Sequence, residues 1–151
     1  MRKVWIATAL AMVLSIVDAV AKRAAITALP KGSVVVIPDI LSLFLHYNPG
    51  VIADIAIPIL LVIIISIAVL ILCAAWLRQV WIKAEWNSAI GIIILMFGAI
   101  GNLTDRMADS FTTDYLLLAG GSVVNISDGL ILLGIIWILV SGRKQLKLKQ
   151  A

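Results

Sequence analysis

Long apolar runs, broken by a few isolated polar positions, set the pattern of this chain. The longest, IAIPILLVIIISIAVLILCAAWL, carries no charge between Asp54 and Arg78 and exceeds the roughly 20 residues that a hydrocarbon core demands. It predicts a membrane helix over 55–77. Three further apolar windows predict helices over 4–24, with Asp18 and Lys22 in its later half, over 86–104, filling the gap between Glu85 and Asp105, and over 123–142, with Asp128 near its start. Pro58 falls in the first turn or so of the second helix, where a missing backbone N–H costs little, so the span is expected to survive it. The fold class is therefore an all-α polytopic membrane protein with four transmembrane helices.

Composition agrees with this pattern. Of the 151 residues, 63% are apolar and 13% charged, and the mean hydropathy is +1.15, outside the range of soluble domains. The chain is too short for a bundle plus a separate catalytic domain. One membrane-embedded domain over 1–151 is expected, with any chemistry built from the spans and their loops. Arg2 and Lys3, Arg78 and Lys83, and the tail residues Arg143, Lys144, Lys147 and Lys149 fall on one side if there are four crossings. The excess of basic residues makes that side cytoplasmic, so both termini and the basic tail 143–151 are placed inside. The opposite side receives Asp39, Asp105, Asp109 and Asp114, with Lys31 and Arg106 as its few basic residues. This asymmetry accounts for the net charge of +4, and no nucleic-acid partner is called for.

Three patterns have simpler readings than the ones they imitate. MRK, an apolar stretch and AVA at 19–21 resemble a secretory signal peptide, but cleavage would leave three crossings and set the Arg78/Lys83 loop and the basic tail on opposite sides. The segment is read as the first span. Asn102-Leu103-Thr104 and Asn125-Ile126-Ser127 fit the N-glycosylation pattern, yet both lie at or inside the predicted bilayer boundary. Cys73, the single cysteine, sits mid-helix among Leu, Ile and Ala and is read as packing.

Ionisable residues at membrane depth carry a penalty of a few kcal/mol and are kept for function or for a specific partner. Asp18 and Lys22, four apart on one helix face, can pair with each other. That pair is either an internal one that lets Lys22 snorkel outward or a tether beside an active site. Asp105 and Arg106 are expected to close the third helix. Asp114 is expected on an outer loop, and Asp128 about five residues into the fourth helix, roughly 7–8 Å along it, where only a partner or a wet cavity makes it tolerable. Facing one another across a wet pocket, Asp114 and Asp128 would split their pKa values and share a proton. One can then act as general base on water while the other, protonated, donates to the carbonyl or leaving group. That is aspartic-peptidase chemistry, which needs no cofactor. No Cys/His/Glu cluster suggests a metal site, since His46 is the only histidine.

Several separated motifs, in order, resemble the lipoprotein signal peptidases, or signal peptidase II. The family's D-x-x-x-K is matched by Asp18 and Lys22, and its Asn-x-Gly by Asn48-Pro49-Gly50. Its run G-N-x-x-D-R, three residues, G-x-V-x-D-F reads here as Gly101 to Arg106, Met107 to Asp109, and Ser110 to Tyr115. Its F-N-x-A-D corresponds to Val124-Asn125-Ile126-Ser127-Asp128. The resemblance implies that Asp114 and Asp128 are the catalytic pair, that Asn102, Asp105, Arg106 and Asn125 support the site, and that Asp18, Lys22, Asn48 and Gly50 shape the pocket. It implies cleavage of a prolipoprotein just before a cysteine carrying a diacylglyceryl group, at the extracytoplasmic face of the bacterial cytoplasmic membrane. Membrane lipids and a globomycin-type inhibitor are the other partners it implies. It also implies a small extracytoplasmic β-structure between helices 1 and 2, supplied by GSVVVIPDILSLFLHY, whose β-branched run SVVVI reads as a strand.

The chain departs from the family pattern at Val51, Ile52 and Ala53 after Asn-x-Gly, at Val124, at Ser110 and at Tyr115. None of these removes a catalytic group, though they bear on substrate preference and allow a divergent paralogue. Two other readings stand beside the peptidase: a small carrier with Asp18, Lys22 and Asp128 as a proton or ion relay, and a catalytically silent homologue with a structural role. Against the carrier, the second helix is uncharged and the third lacks a mid-membrane ionisable group.

Overall fold

The computed structural model describes residues 1–29, 32–50 and 57–150, with side chains through Gly142. Lys31, residues 51–56 and the basic side chains of the tail lie outside the described residues, so the predicted helix start at 55 and the departures at Val51, Ile52 and Ala53 are not among them. The order of elements is α1 (Arg2–Ala28), β1 (Val34–Ile37), β2 (Leu41–Asn48), α2 (Ile59–Ile82), α3 (Trp86–Asp109), β3 (Thr112–Leu118), β4 (Val123–Val124) and α4 (Ile126–Gln150). Three helices, α1, α2 and α3, are long and apolar enough to cross a membrane, and the apolar part of α4, Ile126–Gly142, is shorter.

Helix α3 is the centre of the bundle, packed on α1, α2 and α4. Half of its apolar window is buried, against 6% for α2. A helix left that open, with Arg78 its one charged residue, would expose costly apolar area to water, so its outer faces are suited to lipid. Val4 and Ala11 of α1 meet Ile90, Ile93 and Ile94 of α3 and Leu130 of α4 in one core cluster. Val80 of α2 meets Ala89 and Ile92 in a second, with Cys73 packed against it. Pro58 caps α2 immediately before Ile59, at the end where its missing donor is harmless. Close contact of α3 and α4 depends on Gly98, where a Cβ would lie 2.9 Å from both Ile131 N and Leu130 Cβ.

Four boundaries differ from the sequence expectation. Helix α1 outruns its predicted bounds at both ends, and α2 starts only at Ile59, with Pro58 outside it as the cap, and runs on to Ile82; Arg2, Lys3 and Arg78 are exposed where the helices extend. Helix α3 continues past Asp105 and Arg106 to Asp109, closing on Ser110 in the left-handed region at φ +66°. The β-structure is not confined to the connection between the first two helices. It is a four-stranded antiparallel sheet ordered β1-β2-β3-β4, and the α3–α4 connection supplies half of it. Asp114 therefore lies on a strand, directly across the ladder from His46, and not on an open loop. Finally, Val123 and Val124 belong to β4, so α4 starts at Ile126 and Asp128 stands in its first turn, nearer the helix end than the predicted five residues in.

Two turns hold the sheet. Pro38 presets φ at the second position of the β1–β2 turn and Asp39 takes the left-handed third position, φ +58°, with Ile40 N–H donating to Ile37 O at 3.1 Å. Gly120 and Gly121 supply the positive φ of the β3–β4 turn.

Candidate active site

Asn125 begins the site. It is the N-cap of α4: Asp128 N–H donates to Asn125 Oδ1 at 2.9 Å, and Asn125 N–H donates back to Asp128 Oδ2 at 3.2 Å. This reciprocal Asn-x-x-Asp arrangement is a capping box, which satisfies two orphan donors at the helix start. The same Asn125 has its side-chain amide free for another use, and Nδ2 donates to Asp114 Oδ1 at 2.5 Å. One residue thus holds both aspartates.

Asp114 is 1% exposed. Its second oxygen accepts from Asn48 Nδ2 at 3.1 Å, and Asn48 Oδ1 in turn accepts from Gly50 N–H at 3.0 Å. Burial raises the Asp114 carboxyl to about 6; the Asp128 charge pushes the same way, while the Asn48 and Asn125 hydrogen bonds and Lys22 oppose. Asp128 is half-buried and its Oδ1 accepts from Asn102 Nδ2 at 2.7 Å. The pair thus consists of an occluded carboxyl displaced toward its neutral form and a more open one in the first turn of α4.

Asn102 and Asp105, three apart on α3, share a face and both meet Lys22. Lys22 Nζ donates to Asn102 Oδ1 at 3.0 Å and lies 2.8 Å from Asp105 Oδ2 and 2.8 Å from Asp18 Oδ2. The outward snorkelling read as one option for Lys22 is thereby corrected: the side chain is 4% exposed and turns inward, because two carboxylates and an amide outweigh the reach to water. Asp18 is likewise buried, and beyond Lys22 it accepts from Tyr115 Oη, Ile126 N–H and Ser127 Oγ. Arg106 reaches Gly50 O through Nη2 at 3.4 Å and stands within electrostatic range of Asp128, Asp114 and Asp105. Asp105 also accepts from Thr113 N–H at 3.4 Å.

All ten residues singled out in the sequence thus join one connected network at the sheet end of the bundle. Tyr115 and Ser127 were not among them as site residues. The available signal was a hydroxyl immediately beside each aspartate. Asn102 and Asn125 are buried, so neither can present an amide for glycosylation. Among the described residues no three His, Cys, Asp or Glu side chains form a group suited to a metal ion.

Comparison with known proteins assigns the chain a family. Residues 10–143 match the family described as Signal peptidase (SPase) II. The chain is 34% identical over 82 residues to the lipoprotein signal peptidase of Bartonella tribocorum, an alignment spanning 49% of each protein. It is 28% identical over 132 residues to that of Allorhizobium ampelinum, covering 84% of this chain and 81% of the relative. With that of Lactiplantibacillus plantarum it shares 27% over 140 residues, covering 90% and 93%. The match thus spans about half the length of the first of these relatives and most of the other two. A solved structure described as a bacterial membrane enzyme, obtained by the in meso method at 2.3 Å, superposes with a TM-score of 0.79 at 28% identity, covering 91% of this chain and 87% of its own. A second so described, at 1.9 Å, gives 0.74 at 28% identity, covering 89% and 90%.

Proposed function

The chain is a bacterial membrane protein of the signal peptidase II family, and from that premise we propose that it is an aspartic endopeptidase removing signal peptides from prolipoproteins. Its substrate carries a diacylglyceryl cysteine, and the bond broken lies just before that residue. The observation that carries the reading is the Asn125 bridge: one buried side chain hydrogen-bonds Asp114 and, through its own cap, Asp128.

Asp114, held toward its neutral form by burial, is the acid, and Asp128 is the base. Asp128 takes a proton from water as the oxygen attacks the scissile carbonyl, and Asp114 gives its proton to the carbonyl oxygen. When the tetrahedral intermediate collapses, Asp128 passes its proton to the leaving amine and Asp114 recovers one from the hydroxyl. The products are a carboxylic acid and the free amine of the lipidated cysteine, with both aspartates restored. Asn48 and Asn102 fix the two carboxylates, and Arg106 balances charge around them.

The four helices form one domain, with both termini cytoplasmic, as the distribution of basic residues supports. The dyad lies at the extracytoplasmic face of the cytoplasmic membrane, where the diacylglyceryl chains stay in the bilayer while the scissile bond meets water. A globomycin-type inhibitor would compete for the same pocket.

The test is cleavage of a diacylglyceryl-modified prolipoprotein by purified protein. Asp114→Asn and Asp128→Asn are each expected to lose at least about 10²-fold in kcat, the scale of general acid–base catalysis. Near-normal cleavage by either variant would falsify the dyad.

A further inference from the structure

Asp18 receives more donors than a partner for Lys22 requires. Its Oδ1 accepts from Tyr115 Oη at 2.9 Å and from Ile126 N–H at 3.0 Å. Its Oδ2 accepts from Ser127 Oγ at 2.6 Å and lies 2.8 Å from Lys22 Nζ. An ionised carboxylate has about four acceptor sites, and all four are taken. The chain positions of the donors matter: Tyr115 directly follows Asp114, and Ser127 directly precedes Asp128.

We propose that Asp18, Tyr115 and Ser127 form a positioning strut that sets the placement of Asp114 relative to Asp128. The proposal rests on the dyad reading above. Successive side chains of a strand point to opposite faces, so Tyr115 grips α1 on one face of β3 while Asp114 meets Asn48 and Asn125 on the other. Ser127 does the same for α4, since neighbouring helix positions diverge by about 100° and Asp128 turns instead toward Asn102. The strand carrying the acid and the helix carrying the base are thereby fastened to one buried carboxylate of a third element. Asn125 links the aspartates from within the site, and Asp18 links their backbones from behind.

Space for this junction is kept by Gly101. A Cβ there would collide with Ser127 Oγ and stand 3.9 Å from Asp18 Oδ2. Tyr115 and Ser127 are buried and spend their hydroxyls on Asp18, not on the dyad carboxyls, so the three act through the placement of the aspartates.

The motif form quoted above has Phe and Ala at these two positions, which makes Tyr115→Phe, Ser127→Ala and the double variant suitable tests. Two readouts are used: kcat and KM for a diacylglyceryl prolipoprotein, and the protonation midpoint of Asp114 from its infrared carboxyl band, assigned against Asp114→Asn. The other charged or titratable groups around Asp114 are Asp128, Lys22 and Arg106, Asp105 through Thr113 and His46 across the ladder; the variants leave them all in place. Each single variant is expected to lower kcat by about 10-fold at unchanged KM, given that a 1 Å misplacement costs roughly 10²-fold. The double variant should lose less than the product of the two, because both hydroxyls act through one carboxylate. The Asp114 midpoint should fall toward the usual carboxylate range in all three as its enclosure loosens. Wild-type kcat together with an unmoved midpoint overturns the strut, even if the variants melt earlier. Should the wild type cleave no prolipoprotein, the peptidase reading fails separately, and the infrared midpoint alone decides: displaced, the strut stands; unmoved, it falls.

Discussion

Asn125 Nδ2 donates to Asp114 Oδ1 at 2.5 Å, joining the first residue of the α4 cap to a carboxyl in the middle of β3. The bond makes one unit of two segments that approach from different sides, and it leaves Asp114 with hydrogen bonds but little water. That environment has a measurable consequence.

Burial pushes the Asp114 carboxyl up to about 6, against an ordinary value of about 3.9. A raised carboxyl contributes stability that is fully present below the unfolded value and is lost as pH rises through the folded one. Wild-type stability should therefore decline between about pH 4 and pH 6 relative to Asp114→Asn and run parallel to it above. Melting temperatures of the two proteins in detergent, compared across this range, provide the check. A constant difference would contradict the assignment.

Lys22 is the only cation between Asp18 and Asp105 among the described residues. Replacing it with Met leaves two carboxylates beside one another in a buried site, and breaking a buried pair in this way costs roughly 3–5 kcal/mol. Asp105→Asn removes one of two anions and keeps Lys22 paired with Asp18, so its loss should be clearly smaller. Equilibrium unfolding in micelles ranks the two; equal losses would mean that Lys22 is not the centre of the cluster.

Glycines in the bundle should separate sharply by surroundings. Gly98→Ala pushes a methyl group into the α4 backbone, and overpacking of this kind costs about 1–3 kcal/mol. Gly129 in α4 has nothing within 4 Å of an added Cβ, so Gly129→Ala should instead gain about 0.5–1 kcal/mol from helix propensity. Opposite signs in thermal unfolding are the expected result.

Ser110 ends α3 at φ +66°, a left-handed conformation that costs residues with a Cβ roughly 1–2 kcal/mol. Ser110→Gly relieves that cost but pays more unfolded-chain entropy, for an expected net gain of about 0.5–1 kcal/mol. Unfolding midpoints decide it, and a loss would show that the serine side chain contributes something its backbone conformation conceals.

Much of the architecture was legible from local composition. Charge-free runs of sufficient length can only be helices in a bilayer, since every backbone polar group there must be satisfied within its own segment. The polar phrases were also legible as one site, because ionisable residues so few and so grouped need each other. What could not be read was which role each phrase plays. Asn102-x-x-Asp105 and Asn125-x-x-Asp128 look alike in sequence, yet the first lies inside a continuous helix, about two turns or less from its C-terminal end, and embraces Lys22, whereas the second starts a helix and caps it.

The strand character of Thr112–Leu118 was hidden for a related reason. Within its own connection this segment finds only the two-residue β4, which pairs with Leu116 and Leu117, and β-structure depends on cross-strand neighbours more than on intrinsic preference. Only when β2, more than sixty residues away, supplies the ladder does Asp114 become a buried strand residue opposite His46. The sequence by itself determined the membrane class, the helices and the set of polar residues that must meet, because hydrophobic length and the cost of buried charge are local quantities. Tertiary structure alone decided that Asp18 gathers the neighbours of both aspartates and that Asp114 is the occluded one, because hydrogen-bond partners and burial exist only once distant segments have come together.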